Sequence, residues 1–181
     1  QARGDAGGEM GDALPTVALG AGHTATAIAA GGDHTCALLD DGTVKCWGVN
    51  DKGQLGLGDV LPRGGGPGEM GDSLPAVDLG TGRTAIALTA GPLHTCALLD
   101  NGEIKCWGES LHGRLGLGDT NDRGDQAGEM GDALPTVDLG TGRTADGVTA
   151  GDSFTCALLD DATVKCWGLN NVSQLGIAGP Y

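Results

Sequence analysis

The chain has 181 residues and is strongly acidic, with 24 Asp and Glu against 10 Lys and Arg and a formal net charge of −14. Phosphate recognition needs clustered positive surface, so nucleic acid is excluded as an expected partner and an anionic membrane surface is disfavoured. The 36 glycines do not fall at every third position, which excludes collagen, and the 39% apolar residues fall in short patterned runs, unlike a disordered chain or a membrane span of ~20 apolar residues.

The chain opens without Met and without a signal-peptide pattern, as a mature product or a piece of a longer chain. Arg3-Gly4-Asp5 to Met10 matches Arg123-Gly124-Asp125 to Met130, so residues 1–7 read as a linker continuing from an upstream repeat. Glu9, Glu69 and Glu129 lie sixty residues apart, and so do Cys36, Cys96 and Cys156, and Trp47, Trp107 and Trp167. This period divides the remainder into units at 8–67, 68–127 and 128–181.

The second unit illustrates the order. Residues 68–72 are a polar, Gly-rich entry. Residues 74–79 (Leu-Pro-Ala-Val-Asp-Leu) alternate, with Val77 and Leu79 on one face and Asp78 on the other, and predict a first strand with Pro75 near its start. Residues 80–83 are a turn. Residues 84–90, rich in small side chains, predict a second strand at the narrow inner part of a blade; a weak helix is the rival reading. Residues 95–99 and 103–107 predict the third and fourth strands, and 113–119 a connector. Four short strands per unit predict an all-β fold of three tandem four-stranded antiparallel propeller blades. Residues 175–181 drift from the pattern of 115–119 and read as a cap or a boundary.

The best-defined stretch is the hairpin 34–48, which returns at 94–108 and 154–168. Asp40-Asp41-Gly42 is a three-residue loop with Gly where φ must be positive. Leu39 then faces Thr43, Leu38 faces Val44, and Cys36 faces Cys46. Opposed residues on antiparallel neighbours have Cβ atoms ~4.5–5.5 Å apart, close enough for a disulfide after slight adjustment. The expected bridges are Cys36–Cys46, Cys96–Cys106 and Cys156–Cys166, worth about 2–3 kcal/mol each. They imply an oxidising compartment, extracellular or at the cell surface. Free buried thiols are one rival reading, and zinc on His34, Cys36 and Cys46 is the other. The third unit argues against it, because Phe154 replaces the histidine while both cysteines remain. Ala162 stands in the glycine position of the third loop, so that turn is expected to be strained or of another type.

Other candidates are weaker. Residues 119–125 resemble a calcium loop, but Arg123 and Met130 stand where oxygen ligands are needed. The Arg-Gly-Asp tripeptides at 3–5 and 123–125 arise easily in a Gly- and Asp-rich linker. Residues 115–119 lack the lysine and the strand–helix setting of a phosphate loop and read as a blade-to-blade turn. Asn171-Val172-Ser173 is a glycosylation sequon. Glu9, Glu69 and Glu129 are expected to hold the linker by accepting backbone N–H groups, and Trp47, Trp107 and Trp167 to pack between blades. Among the histidines, His23, His34, His94 and His112, no nucleophile–base pair recurs. Neither catalysis nor a cofactor is expected.

Residues 30–59, A-G-G-D-H-T-C-A-L-L-D-D-G-T-V-K-C-W-G-V-N-D-K-G-Q-L-G-L-G-D, resemble the regulator of chromosome condensation repeat, and so do residues 90–119 and 150–177. The resemblance implies a β-propeller of four-stranded blades, usually seven. In it His34 and His94 take a structural position with the ring tied to backbone, and Gly48, Gly108 and Gly168 follow the repeated Trp. Three blades turn through less than half of such a ring, so this one stays open or is completed by other copies or blades. The second unit departs at Ser110 and Arg114, where the first has Asn50 and Gln54, and no counterpart of the nuclear member's nucleotide-exchange wedge is found. The cysteine-containing form is similar to secreted bacterial members, some of which bind beta-lactamases. The implied function is an extracellular structural and protein-binding module, part of a larger propeller or of a self-assembling particle or fibre, as a homo-oligomer or a fragment of a larger array. An enzyme inhibitor is the alternative, weakened because only Phe154 and Tyr181 add aromatics beyond the repeated Trp. A propeller-type enzyme is disfavoured.

Overall fold

Apolar alternation and tight turns produce nine short strands in a computed structural model that describes residues 2–177. They are β1 (Ala25–Ala30), β2 (His34–Leu39), β3 (Val44–Gly48), β4 (Ala85–Ala90), β5 (His94–Leu99), β6 (Ile104–Gly108), β7 (Ala145–Ala150), β8 (Phe154–Leu159) and β9 (Val164–Gly168). Consecutive triplets form three antiparallel sheets, ordered β1-β2-β3, β4-β5-β6 and β7-β8-β9. Short 3₁₀ turns punctuate the linkers, and among the described residues no helix is long and apolar enough to cross a membrane. The small-residue stretches are strands, and β1, β4 and β7 adjoin one another as the inner strands. The Thr89 hydroxyl of β4 accepts the Ala150 N–H of β7 at 2.9 Å. The final residues 178–181, including Tyr181 and most of the predicted cap, lie outside the described residues, as does Gln1.

The sheets have three strands, not the four expected. Residues 74–79 and 134–139 form no ladder of their own. Each lies along the outer strand of the preceding sheet, held by one backbone hydrogen bond: Val77 N–H to Val44 C=O (2.8 Å) and Val137 N–H to Ile104 C=O (2.9 Å). Pro75 and Pro135 have no N–H to continue the pairing. Burial of Val77 and Leu79 against the earlier repeat holds the segment instead.

The hairpins carry the predicted register. Leu38 pairs with Val44 and Cys36 with Cys46, and Leu39 N–H donates to Thr43 C=O at 2.9 Å. Cys36–Cys46, Cys96–Cys106 and Cys156–Cys166 are disulfide-bonded. The third turn keeps the form of the others, with Ala162 at φ 63° where Gly42 has φ 78°. A Cβ on Gly42 or Gly102 would meet Thr84 or Thr144 of the following repeat, 2.6 Å away in both cases, whereas Ala162 is exposed. Ala162→Gly is expected to raise stability by about 1 kcal/mol, read from the chemical-denaturation midpoint, because an L residue held left-handed costs about that much.

Candidate functional site

The functional feature of the fold is the joint between repeats. Each sheet presents a leading face, built on its third strand, to the trailing face of the next repeat. Leu38, Val44, Leu55 and the Cys36–Cys46 bridge of the first repeat bury Val77, Leu79 and Ala85 of the second, with the fully buried Trp107 beside them. The second joint repeats this with Ile104, Leu115 and Cys96–Cys106 against Val137, Leu139, Ala145 and Trp167.

One carbonyl ties each joint. The Gln54 carbonyl accepts from Thr95 Oγ1 (2.9 Å) and Trp107 Nε1 (3.1 Å); the Arg114 carbonyl accepts from Thr155 Oγ1 (2.9 Å) and Trp167 Nε1 (3.0 Å). Both lone pairs of each oxygen are thus used. His34 Nε2 lies 2.8 Å from Thr95 Oγ1, and His94 Nε2 lies 3.0 Å from Thr155 Oγ1. Each threonine gives its only proton to the carbonyl, so it accepts from histidine, whose ring is the neutral Nε2–H tautomer. The imidazoles are therefore tied to a side chain of the next repeat, not to backbone as the resemblance implied. Their Nδ1 atoms are buried without a hydrogen-bond partner, and burial pushes both rings down to about 4. A Cβ at Gly31, Gly91 or Gly151 would run into the His34, His94 or Phe154 ring, so glycine makes the seat and phenylalanine fits it. Gly48, Gly108 and Gly168 end their strands at φ 107°, 99° and 110°.

Sequence reasoning missed two features of the joint. Thr35, Thr95 and Thr155 recur at the repeat period, as do Lys45, Lys105 and Lys165, yet neither set received a role. Lys105 is buried because Nζ donates to the carbonyls of Leu79 (3.1 Å) and of Gly131 in the next repeat (2.6 Å). Lys45 donates to Gly71 O at 2.8 Å and Lys165 to Leu139 O at 2.9 Å.

The remaining candidates do not converge on a site. Glu9, Glu69 and Glu129 accept the N–H groups of Gly4 (2.8 Å), Gly66 (2.9 Å) and Gly124 (3.0 Å) and hold the linkers. The carboxylate of Asp119, a would-be calcium ligand, is taken by Arg123 at 2.7 Å, as Asp59 is by Arg63 at 2.6 Å. Arg123 of the second Arg-Gly-Asp is therefore already engaged, and the sequon lies on a surface turn. His23 gathers Asp40 and Asp41 at 3.5 Å each on the surface, a trio the sequence did not suggest. Arg83 and Arg143 occupy the same position in the later repeats and pair with Asp100 and with Asp160 and Asp161. The trio thus stands where the later repeats have a surface Arg–Asp ion pair.

Both joint faces are left open at the two ends of the described chain. On the leading side Val44 and Ile104 are 0% exposed while Val164 is 62% exposed, and Leu158 is also exposed. A cavity of about 480 Å³ runs beside β9, lined by Val137, Val164, Trp167 and Leu175. On the trailing side Val77 and Val137 are 6% and 7% exposed while Val17 is 52% exposed, with Leu14 exposed beside it and Trp47 half-buried.

The regulator of chromosome condensation (RCC1) repeat profile matches residues 25–54, 85–114 and 146–174. The ultraviolet-B receptor UVR8 of Arabidopsis thaliana is 34% identical over 151 residues, and the chain spans 31% of its length. The human E3 ubiquitin-protein ligase HERC2 is 30% identical over 152 residues, of which the chain spans 3%. The alignments cover 83% and 82% of this chain. The solved structure of yeast RCC1 (Prp20) with Kap60 bound superposes with a TM-score of 0.65 at 23% identity, over 87% of this chain and 34% of that one, and shows the same fold. With three matched repeats, the matched hairpins and the shared propeller architecture, the chain belongs to the regulator of chromosome condensation repeat family.

Proposed function

We propose that the chain is an extracellular, disulfide-stapled structural and protein-interaction module, one arc of a larger propeller assembly. The observation that carries this reading is the pair of open joint faces, which expose the side chains that every internal joint buries. Solvent-exposed apolar side chains grouped on one face mark a surface made to be covered, by further repeats or by another protein. The three bridges support an oxidising location. Yeast RCC1 (Prp20), which has the same fold, likewise binds a protein, Kap60. The module acts by binding, with the His34 and His94 rings holding joints and the carboxylates of Glu9, Glu69 and Glu129 holding linkers.

The test is a fluorescent heptapeptide, Leu-Pro-Thr-Val-Asp-Leu-Gly, the sequence of residues 134–140, titrated against the chain. Saturable binding that Val164→Asp weakens at least about tenfold, the loss of ~1.4 kcal/mol, is expected. Equal binding to wild type and V164D, or none up to about 1 mM, overturns the reading.

A further inference from the structure

We infer that His23, Asp40 and Asp41 form a binding site for a divalent transition cation such as zinc, on the surface of the first repeat, where the ion fastens the turn at 20–23 to the β2–β3 hairpin. This goes beyond the interaction reading above and does not rest on it. The backbone brings the three side chains together. Asp40 N–H donates to the Thr24 carbonyl at 2.9 Å, which holds residue 23 against the hairpin loop. His23 Nδ1 lies 3.5 Å from Asp40 Oδ1 and 3.5 Å from Asp41 Oδ2, and the three donor atoms all lie within 4.8 Å of one another. A charge-assisted hydrogen bond would run ~2.7–2.9 Å, so the ring nitrogen stands off from both oxygens. Around an ion with bonds of ~2.0–2.2 Å, tetrahedral donors sit about 3.4 Å apart, close to the spacing found between the ring and each carboxylate.

The outer oxygens are already committed, which aims the inner ones at the ring. Asp40 Oδ2 accepts from Thr24 Oγ1 at 3.0 Å, and Asp41 Oδ1 accepts from the Thr43 N–H (3.0 Å) and Oγ1 (2.7 Å). Partners of this kind orient carboxylates that ligate a metal.

A separate observation marks the place as a cation's. In the third repeat Arg143 spans Asp160 and Asp161 at 3.3 and 3.2 Å, as an ion would span Asp40 and Asp41. In the second repeat Arg83 pairs with Asp100, and Asn101 stands in place of the second carboxylate. Arginine carries its own fixed charge and has no lone pair to give, whereas a neutral imidazole offers one. Among the described residues the first repeat alone sets a histidine against both aspartates. One imidazole nitrogen with two carboxylate oxygens suits zinc and its transition-metal neighbours; magnesium and calcium prefer oxygen alone. The openness of the site does not come from where the chain begins. Arg83 and Arg143, each with a repeat in front of it, have side chains 37% and 40% exposed, against 36% for His23.

The experiment is isothermal titration of ZnCl2 into the untagged full chain, in a non-coordinating buffer with excess MgCl2 to occupy ordinary surface carboxylates. Wild type is expected to bind one equivalent saturably. His23→Arg installs the residue of the other two repeats, so the fold is kept and circular dichroism checks it; its affinity is expected to fall at least about a hundredfold. Asp41→Asn, the second repeat's arrangement, is expected to weaken binding about tenfold or more. His112→Ala removes another exposed histidine and is expected to bind as wild type does. Zinc is also expected to raise the urea midpoint of wild type and leave that of H23R unmoved, since an ion that binds only the folded chain stabilises it. No saturable binding up to about 1 mM, or equal binding by wild type and H23R, overturns the site. Binding that H112A removes places the ion elsewhere and overturns it too. Binding that H23R removes but D41N leaves unchanged overturns the three-donor arrangement.

Discussion

Acidification from pH 7 to pH 4 is expected to destabilise this chain, and replacing His34 and His94 by Phe is expected to abolish that loss. Burial holds both rings down to about 4 in the folded chain, with Arg114 and His34 adding to the effect at His94, against about 6.5 when unfolded. Between those values the unfolded chain binds more protons, so stability is complete above pH 6.5 and falls as pH falls toward 4. At about 1.4 kcal/mol per pH unit, each ring withdraws at most about 3 kcal/mol across the window. Asp40, Asp41, Asp59, Asp119, Asp132 and Asp161 are held below the usual carboxylate range, chiefly by hydrogen bonds, so their contribution is lost only at lower pH. Falling net charge works in the opposite direction, which is why the comparison must be between variants. Phe154 shows that the glycine-lined seat accepts phenylalanine. H34F/H94F loses two hydrogen bonds, a cost of about 1 kcal/mol each at any pH. Its denaturation midpoint is expected to stay level between pH 6.5 and 4.5 while that of wild type declines. Parallel declines would show that the two rings are not the titrating groups.

Trp107→Ala is expected to cost about 3–5 kcal/mol, and Trp47→Ala less than half of that. The two tryptophans have the same place in the repeat, so the difference comes from the joint alone. Trp107 is fully buried against Leu55 and Leu134 and donates to the Gln54 carbonyl, while Trp47 is half-buried on an open face. Removing Trp107 leaves a cavity the size of an indole and frees one lone pair of a carbonyl that Thr95 still occupies. Trp107→Phe separates the two contributions, since it keeps most of the packing and loses the N–H, for about 1 kcal/mol in hydrogen bonding. Urea denaturation of the three variants measures the series. Equal losses for W47A and W107A would mean that both residues serve only their own sheets.

The hairpins were legible in full because their information is local. The loop Asp40-Asp41-Gly42 sets the register, the register sets Cys36 against Cys46, and the side-chain period of two sends Val44 inward. The role of Trp107 as a packing residue was equally readable, since a large apolar ring repeated at one phase has few other uses. The segment 74–79 was half legible. Its alternation says that it is extended with one face buried, but not which sheet edge it lies on. It lies on the preceding repeat, and its proline keeps it out of the ladder.

Local pattern, repeat period and disulfide pairing are properties of neighbours along the chain, and the amino-acid order alone settles them. The joints are different. That Lys105 is buried on two carbonyls, that the His94 ring is wired through Thr155 to the Arg114 carbonyl, and that Ala162 can stand where glycine is otherwise required all depend on residues 26 to 61 positions apart meeting in space. Nothing in the repeat pattern itself distinguishes Val164 from Val44 or Val17 from Val77. They differ because a neighbouring repeat covers one of each pair and not the other, and burial is a property of the packed assembly.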